Sequence, residues 1–209
     1  MNIGGLQKVS LIDYPEKISA VLFARGCNFR CPYCHNPTLV EPELYPTCLP
    51  ESDVLEFLNK RRGKLDAVTI SGGEPTLQED LIPMLREIRT MGFAVKLDTN
   101  GSRPDVLASL IQKKLLDFIA LDMKAPYRKY ADVVNVKVDA DLIRESVRLV
   151  LKSDIRHEFR TTVVASLLSA KDILEIARSI DGAQRYALQK FQPATTLDKQ
   201  YAGAGTYSE

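Results

Sequence analysis

The chain has little net charge, no apolar run long enough to span a bilayer and few cysteines, and each shortage removes a class of protein. Its 209 residues carry 28 Lys plus Arg against 27 Asp plus Glu, a formal net charge of +1. No basic block of the kind that marks a nucleic-acid surface breaks that balance. No stretch approaches the ~20 apolar residues of a membrane-spanning helix. The start, Met1 to Lys8, has neither the apolar core nor the cleavage site of a signal peptide, so the expected location is the cytoplasm. Four cysteines, three of them clustered, do not make a disulfide framework, and a reducing compartment leaves them available as ligands. The length suits one domain over 1–209, with a lead-in at 1–16 and a tail at 194–209.

What is present concentrates in one stretch, Arg25 to Asn36. Cys27, Cys31 and Cys34 lie within eight residues in a Cys-x3-Cys-x2-Cys spacing, and Gly26 and Pro32 let the loop curl so that three thiolates point at one centre. Soft thiolates favour zinc, copper(I) or iron-sulfur clusters. A four-iron, four-sulfur cluster normally takes four cysteines, so three would leave one iron open to a small molecule. The alternative is a structural zinc site with His35 or Cys48 as fourth ligand, although adjacent Cys34 and His35 would bind one ion awkwardly. Cys48, in a proline-rich segment with no motif partner, reads as a buried or incidental thiol.

The lead-in holds Gly4-Gly5 and Asp13-Tyr14-Pro15 and is expected to be irregular or a short strand without chemistry. Ile18 to Ala24 is a buried-strand pattern that delivers the chain into the cysteine loop. A rhythm of helix and strand then sets in: a helix capped by Ser52, a strand at 67–70, a helix with Pro83 in its first turn, and a strand at 93–97. Pro104 opens the next helix, and strands follow at 118–121, 158–164 and 186–191. Ser169 and Asp172 form a capping-box pattern. Residues 125–139 read as a surface excursion and 194–209 as a loosely held tail or the start of an unfinished helix. Six strands alternating with five helices predict an α/β fold of parallel strands. That is short of an eight-unit barrel, hence a partial, three-quarter (β/α)6 barrel, with a doubly wound open sheet as the alternative.

In such folds the loops after the strand C-termini form the active face. Those ends carry Gly72-Gly73-Glu74, Asp98-Thr99-Asn100, Asp122 and Lys124, Arg160, and Gln189 and Gln192. Each has a plain structural use, as a turn, a cap or a surface pair, but their recurrence at one end of successive strands predicts a site for a polar, zwitterionic ligand. Glu74 would accept from an ammonium, Lys124 or Arg160 would hold a carboxylate, and Asp or Asn would take ribose hydroxyls. The glycines would let backbone approach that ligand closely.

These residues together resemble the radical S-adenosylmethionine superfamily, whose Cys-x3-Cys-x2-Cys motif matches Cys27, Cys31 and Cys34, with Tyr33 as the aromatic before the third cysteine. Gly72 to Pro75 is similar to the family segment that binds the amino group of S-adenosylmethionine. Gly5-Leu6-Gln7, Asp13-Tyr14-Pro15, Cys34 to Pro37, Leu97 to Gly101 and Asp122-Met123-Lys124 resemble the glycyl-radical-enzyme activases within it, most of all those serving anaerobic ribonucleoside-triphosphate reductase. The likeness runs from Gly5 to about Asp198. It implies a radical-SAM partial barrel, one 4Fe-4S cluster on the three cysteines, and S-adenosylmethionine bound at the fourth iron. A low-potential donor such as flavodoxin or ferredoxin would drive cleavage to methionine and a 5′-deoxyadenosyl radical. That radical would take a hydrogen from a glycine of the partner enzyme. It further implies that Glu74 orients the amino group, Asp98 and Asn100 the ribose region, and Lys124 with Arg160 the carboxylate side, with Asp122 among the cofactor-binding residues.

No ferredoxin-like block of extra cysteines is present, which limits the chain to one cluster, and a closing C-terminal helix is expected to be short or absent. Two other readings stand beside the activase. One keeps the radical chemistry on a small molecule such as a deazapurine precursor, and the other is a non-catalytic zinc or iron-sulfur module that docks a partner.

Overall fold

A computed structural model describes residues 1–205 and 207. Seven strands lie in one sheet in chain order: β1 (Ile3–Ser10), β2 (Ser19–Ala24), β3 (Ala67–Gly72), β4 (Ala94–Thr99), β5 (Phe118–Asp122), β6 (Arg156–Val163) and β7 (Tyr186–Lys190). β1 pairs antiparallel with β2, and every later pair is parallel. The six parallel strands are those expected. Each strand beside its chain neighbour means a sheet wound in one direction, so the doubly wound alternative is excluded. β1 and β7 end the order without pairing to each other, leaving the barrel open along one side.

Of the two forms read for the lead-in, irregular or a short strand, the structure shows the strand. The lead-in contains an eight-residue strand, β1, because Gly4 and Gly5 stand in extended backbone against β2 rather than in a turn. A Cβ at residue 4 would meet the Leu39 side chain at 2.6 Å, so a small residue there lets the proline-rich segment close over the strand.

The helices are α1 (Glu51–Lys60), α2 (Leu81–Thr90), α3 (Pro104–Gln112), α4 (Tyr130–Val134), α5 (Ala140–Lys152) and α6 (Ala170–Ser179). In α2, Leu81, Met84, Leu85 and Ile88 recur at helical spacing and are all buried. They pack in one core with Leu22, Ile70, Leu97 and Leu121 from the outer face of the sheet. Pro83 falls in the first turn, where its missing N–H costs nothing, and Pro104 begins α3 as its ring geometry favours. The capping box at Ser169 and Asp172 is complete in both directions. Ser52 does not cap α1: Pro50 occupies that position, and the Ser52 hydroxyl turns to Asp53 at 3.2 Å.

Two further segments differ from expectation. The 125–139 excursion buries Tyr130, Val133 and Val134, and the Tyr130 ring meets Phe29 of the cysteine loop at 6.2 Å between centroids. The apolar spacing Tyr130-x2-Val133-Val134 is a short helical face, too brief to stand out by periodicity. The tail is tied down as well. The Asp198 amide donates to the Pro32 carbonyl at 2.9 Å, a short 3-10 helix spans Lys199–Gly203, and the Tyr207 hydroxyl donates to the Leu168 carbonyl at 2.9 Å. Thr206, Ser208 and Glu209 lie outside the described residues. No described helix is long and apolar enough to cross a membrane.

Candidate active site

The cysteine loop leaves the C-terminal end of β2 and is fastened on several sides. The Gly26 amide donates to the Leu39 carbonyl at 2.8 Å, the Arg30 amide to the Val134 carbonyl at 2.9 Å, and the Glu74 amide to the Gly26 carbonyl at 2.8 Å. The reason for the paired glycines after β3 lies in that last contact. A Cβ at Gly73 would sit 2.1 Å from the Gly26 oxygen, and one at Gly72, whose φ is +107°, would meet Ala24 backbone at 2.6 Å. The glycines bring backbone against the cysteine loop itself, a use beside the ligand approach read from sequence.

Cys27, Cys31 and Cys34 all line one cavity of about 310 Å³, together with Tyr33, Gly72, Gly73, Asp98, Asn100, Asp122, Lys124 and Arg160. Of the rim residues read from sequence, Glu74 and Gln192 lie off its wall. Among the described residues, no three His, Cys, Asp or Glu side chains are grouped to hold a single metal ion; the thiols are donors spaced around a cavity. Burial pushes the Cys27 thiol up to about 12 and the Cys31 thiol up to about 11, so binding a metal group there releases protons. Cys48 stands elsewhere, with Sγ 3.9 Å from Asn2 Oδ1. His35 stacks on Phe191 at 5.5 Å between centroids.

Facing the thiols is a chain of alternating charge. Arg160 donates through Nε to Asp122 Oδ1 at 2.8 Å and reaches Asp98 Oδ2 at 3.3 Å. Lys124 Nζ donates to Asp122 Oδ2 at 3.0 Å. Burial alone would raise the Asp122 carboxyl; the neighbouring Arg160 and Lys124 outweigh it and hold that carboxyl well below the usual range. Asp122 in turn lifts Lys124 against its own burial, so its ammonium stays charged.

None of these groups is exhausted. A guanidinium has five N–H donors and an ammonium three, and Asp122 has lone pairs beyond the two in use. The wall can therefore keep its ion pairs and still take a carboxylate on the cations and hydroxyl or ammonium donors on the carboxylates.

Sequence reading missed the floor beneath this wall. Lys96 is buried, donates to Asp98 Oδ1 at 2.7 Å and stands 3.9 Å from Glu158. The signal was there in the i, i+2 spacing of Lys96 with Asp98 and of Glu158 with Arg160, which puts each pair on one face of its strand. That face is the barrel interior, since Leu97 between them belongs to the outer core.

Asn100, on the cavity wall, and Glu74, behind it, also make structural contacts. Asn100 Nδ2 donates to Asn28 Oδ1 at 3.0 Å and approaches Cys27 Sγ at 3.9 Å, so it braces the cysteine loop. Glu74 is fully buried. Its Oε1 accepts from the Thr76 amide at 3.0 Å, the Thr76 hydroxyl at 2.5 Å and the Thr99 hydroxyl at 2.8 Å. Its Oε2 accepts from the Asn100 amide at 2.6 Å.

The sequence profile of the radical SAM superfamily matches residues 21–180. The chain belongs to that superfamily. Across 205 residues this radical SAM enzyme is 38% identical to a Methanocaldococcus jannaschii protein assigned to glycyl-radical enzyme activation, covering 95% of this chain and 83% of that one. It is 27% identical over 194 residues to the pyruvate formate-lyase-activating enzyme of Clostridium pasteurianum, covering 89% of this chain and 80% of that one. A shorter match, 36% over 120 residues, reaches the 7-carboxy-7-deazaguanine synthase of Methanopyrus kandleri and covers 48% of this chain and 47% of that one. The fold superposes on Streptococcus suis SuiB bound to S-adenosylmethionine with a TM-score of 0.66 at 16% identity, over 90% of this chain and 45% of that one.

The superfamily implies an iron-sulfur cluster and S-adenosylmethionine, and the donor set fits both. Soft thiols with no hard ligand among them suit a cluster, and a wall of two carboxylates and two cations with donors to spare suits an amino acid zwitterion.

Proposed function

We propose that the protein is a glycyl-radical-enzyme activase, built as one radical SAM domain, whose partner is an anaerobic ribonucleoside-triphosphate reductase. The observation that carries the reading is the single cavity in which three thiols face the Asp98, Arg160, Asp122 and Lys124 array. The near full-length identity to the M. jannaschii relative supports the choice of activase.

In this reading Cys27, Cys31 and Cys34 hold one 4Fe-4S cluster. The chemistry gained when cluster and S-adenosylmethionine are bound is one-electron cleavage of the sulfonium and removal of a hydrogen atom from a glycine backbone. The chain's own residues do the rest. Lys124 and Arg160 take the carboxylate, Asp98 and Asp122 take the amino or ribose donors, and Tyr33 packs beside the cofactor with Gly72 and Gly73. Glu74 and Asn100 act one step back, by fixing the loops that carry these groups. A low-potential donor, flavodoxin or ferredoxin, supplies the electron in the cytoplasm.

The test is anaerobic reconstitution with iron and sulfide, reduction with dithionite, and chromatography of 5′-deoxyadenosine for wild type and Cys31→Ala. The wild type is expected to form it and the variant to form none. Addition of the reductase should then give a glycyl radical by electron paramagnetic resonance. Tight zinc in place of iron, with no cleavage under any reductant, would sink the reading. The partial match to the deazaguanine synthase supports a second reading, a small-molecule substrate; it predicts turnover of a purine-like precursor with no protein partner present.

A further inference from the structure

The inner face of the barrel carries charge on β4 and β6, strands that do not touch each other in the sheet. Lys96 and Asp98 share that face on β4, as Glu158 and Arg160 do on β6. What lies between lets them meet. Ala120 of β5 has Asp98 as its register partner on one side and Glu158 on the other, and its single methyl leaves room for longer side chains to reach across. Lys96 Nζ comes to 3.9 Å from Glu158 Oε1, and Arg160 Nη1 to 3.3 Å from Asp98 Oδ2. Phe118, the register partner of Lys96 on β5, puts its ring centre 5.7 Å from the ammonium and helps to pin it.

Charged groups this deep need a reason. Lys96 is 2% exposed and Glu158 6%, and neither lines the cysteine cavity, so a ligand there would not touch them. A buried ion pair adds little stability over apolar residues of the same size, so stability alone does not account for Lys96. Asp98 is the group it acts on. A carboxylate offers about four lone-pair positions. Lys96 fills one on Oδ1 at 2.7 Å, while Ser71 Oγ at 3.0 Å and Arg160 at 3.3 Å take Oδ2. That leaves about one acceptor position, on Oδ1, with the carboxylate held from β3, β4 and β6.

We propose that Lys96 is a positioning residue for the cofactor: it fixes the Asp98 carboxylate so that a single acceptor is left to take one ammonium or hydroxyl donor of S-adenosylmethionine in the cavity. Glu158 balances its charge, and Ala120 keeps the passage between β4 and β6 open. The proposal rests on the assignment of Asp98 to the cofactor and is independent of which partner polypeptide is served. Without Lys96, the carboxylate turns toward Ser71 and Arg160 and the wall loses that acceptor.

The test is a cycle of affinities for S-adenosylmethionine, measured by titration of the reconstituted proteins, with the melting temperatures of the cluster-free forms beside them. Lys96→Met is combined with Glu158→Gln so that one charge of each sign leaves the interior. This pair should bind about tenfold more weakly, and so should Asp98→Asn. All three substitutions together should lie within about twofold of Asp98→Asn alone, because Lys96 then has no carboxylate to position. A role confined to the scaffold would multiply the two losses to about a hundredfold. If the Lys96 and Glu158 pair does not fold, Ala120→Val carries the same cycle: it keeps every charge, narrows the passage, and should weaken binding only where Asp98 is intact. Unchanged affinity in these variants, or losses that multiply, overturns the role of Lys96 and leaves the cofactor site standing. Wild-type affinity in Asp98→Asn overturns that role together with the assignment of Asp98. A reconstituted wild type that binds no S-adenosylmethionine overturns the reading of the whole site.

Discussion

Two carboxylates on the same rim, at the ends of β3 and β5 with β4 between them, are used differently by the protein. Glu74 follows β3, is sealed from solvent, and spends its oxygens on four donors from its own loop and from β4. Asp122 ends β5, keeps about a quarter of its side-chain surface open, and is balanced by Arg160 and Lys124 with acceptor capacity left over. Position on the rim therefore does not by itself say how a carboxylate's oxygens are used. The deciding property is whether the protein has already used the lone pairs. Glu74 is a knot that ties the β3 and β4 loops together, and Asp122 lines the cavity with acceptor capacity left over.

The comparison breaks most visibly at Glu74. Glu74→Leu strands the Thr76 and Asn100 amides and the Thr99 hydroxyl in a dry interior at about 1–3 kcal/mol each, so a loss of at least about 3 kcal/mol of stability is expected. At roughly 2–4 °C per kcal/mol for a chain of this size, the melting temperature of the cluster-free protein should fall by about 10 °C. A variant that melts like wild type but no longer binds S-adenosylmethionine would reverse the two assignments. Arg160→Met should add a second effect. Its guanidinium is 15% exposed between Asp98 and Asp122, so removing it leaves two carboxylates without their shared cation and costs about 3–5 kcal/mol. Affinity for S-adenosylmethionine, read by titration of the reconstituted protein, should drop about tenfold.

That contrast also marks what the sequence made legible. The six parallel strands, the proline and capping signals of α2, α3 and α6, and the rim of Asp98, Asp122, Lys124 and Arg160 were readable because each is a local pattern of side-chain type and spacing. The role of Glu74 was not, because its donors come from Thr99 and Asn100, 25 and 26 residues away, and a motif gives identity without orientation. β1 was legible only as one of two forms, because paired glycines signal turns unless a neighbouring strand demands close approach. Lys96 and Glu158 were missed because charge was sought at strand ends and not along the inner face. The tail looked loose because its anchors, Pro32 and Leu168, lie far away in the chain.

The pH dependence of stability separates the two carboxyls by sign. Asp122 is held below its unfolded value, so the folded state binds fewer protons than the unfolded one, and its contribution is present above about pH 4 and lost as the pH falls. Burial pushes Glu74 up, against the donors that favour its charged form. The folded state then binds more protons, and its contribution declines as the pH rises from its unfolded value through its folded one. In urea melts of the cluster-free protein, Asp122→Asn should flatten the acid limb and Glu74→Gln the slope above about pH 4.5, each by at most about 1.4 kcal/mol per pH unit. Identical pH curves for both variants would mean the two sites are not distinct in kind.

The smallest expected effect tests the knot one strand at a time. Thr99 donates its hydroxyl to Glu74 Oε1 at 2.8 Å and accepts from the Gly101 amide at 3.1 Å. Thr99→Val keeps the shape of the side chain and removes both bonds, while Glu74 retains three donors. The cost should be about 1–2 kcal/mol, or a few degrees of melting temperature. If the knot acts by positioning, the cofactor affinity of this variant should change far less than that of Arg160→Met, because Asp98, next to Thr99 in β4, is still held by Lys96 and Ser71. A Thr99→Val protein as stable as wild type but as weak toward S-adenosylmethionine as Arg160→Met would move Thr99, and Glu74 with it, from the scaffold to the ligand wall.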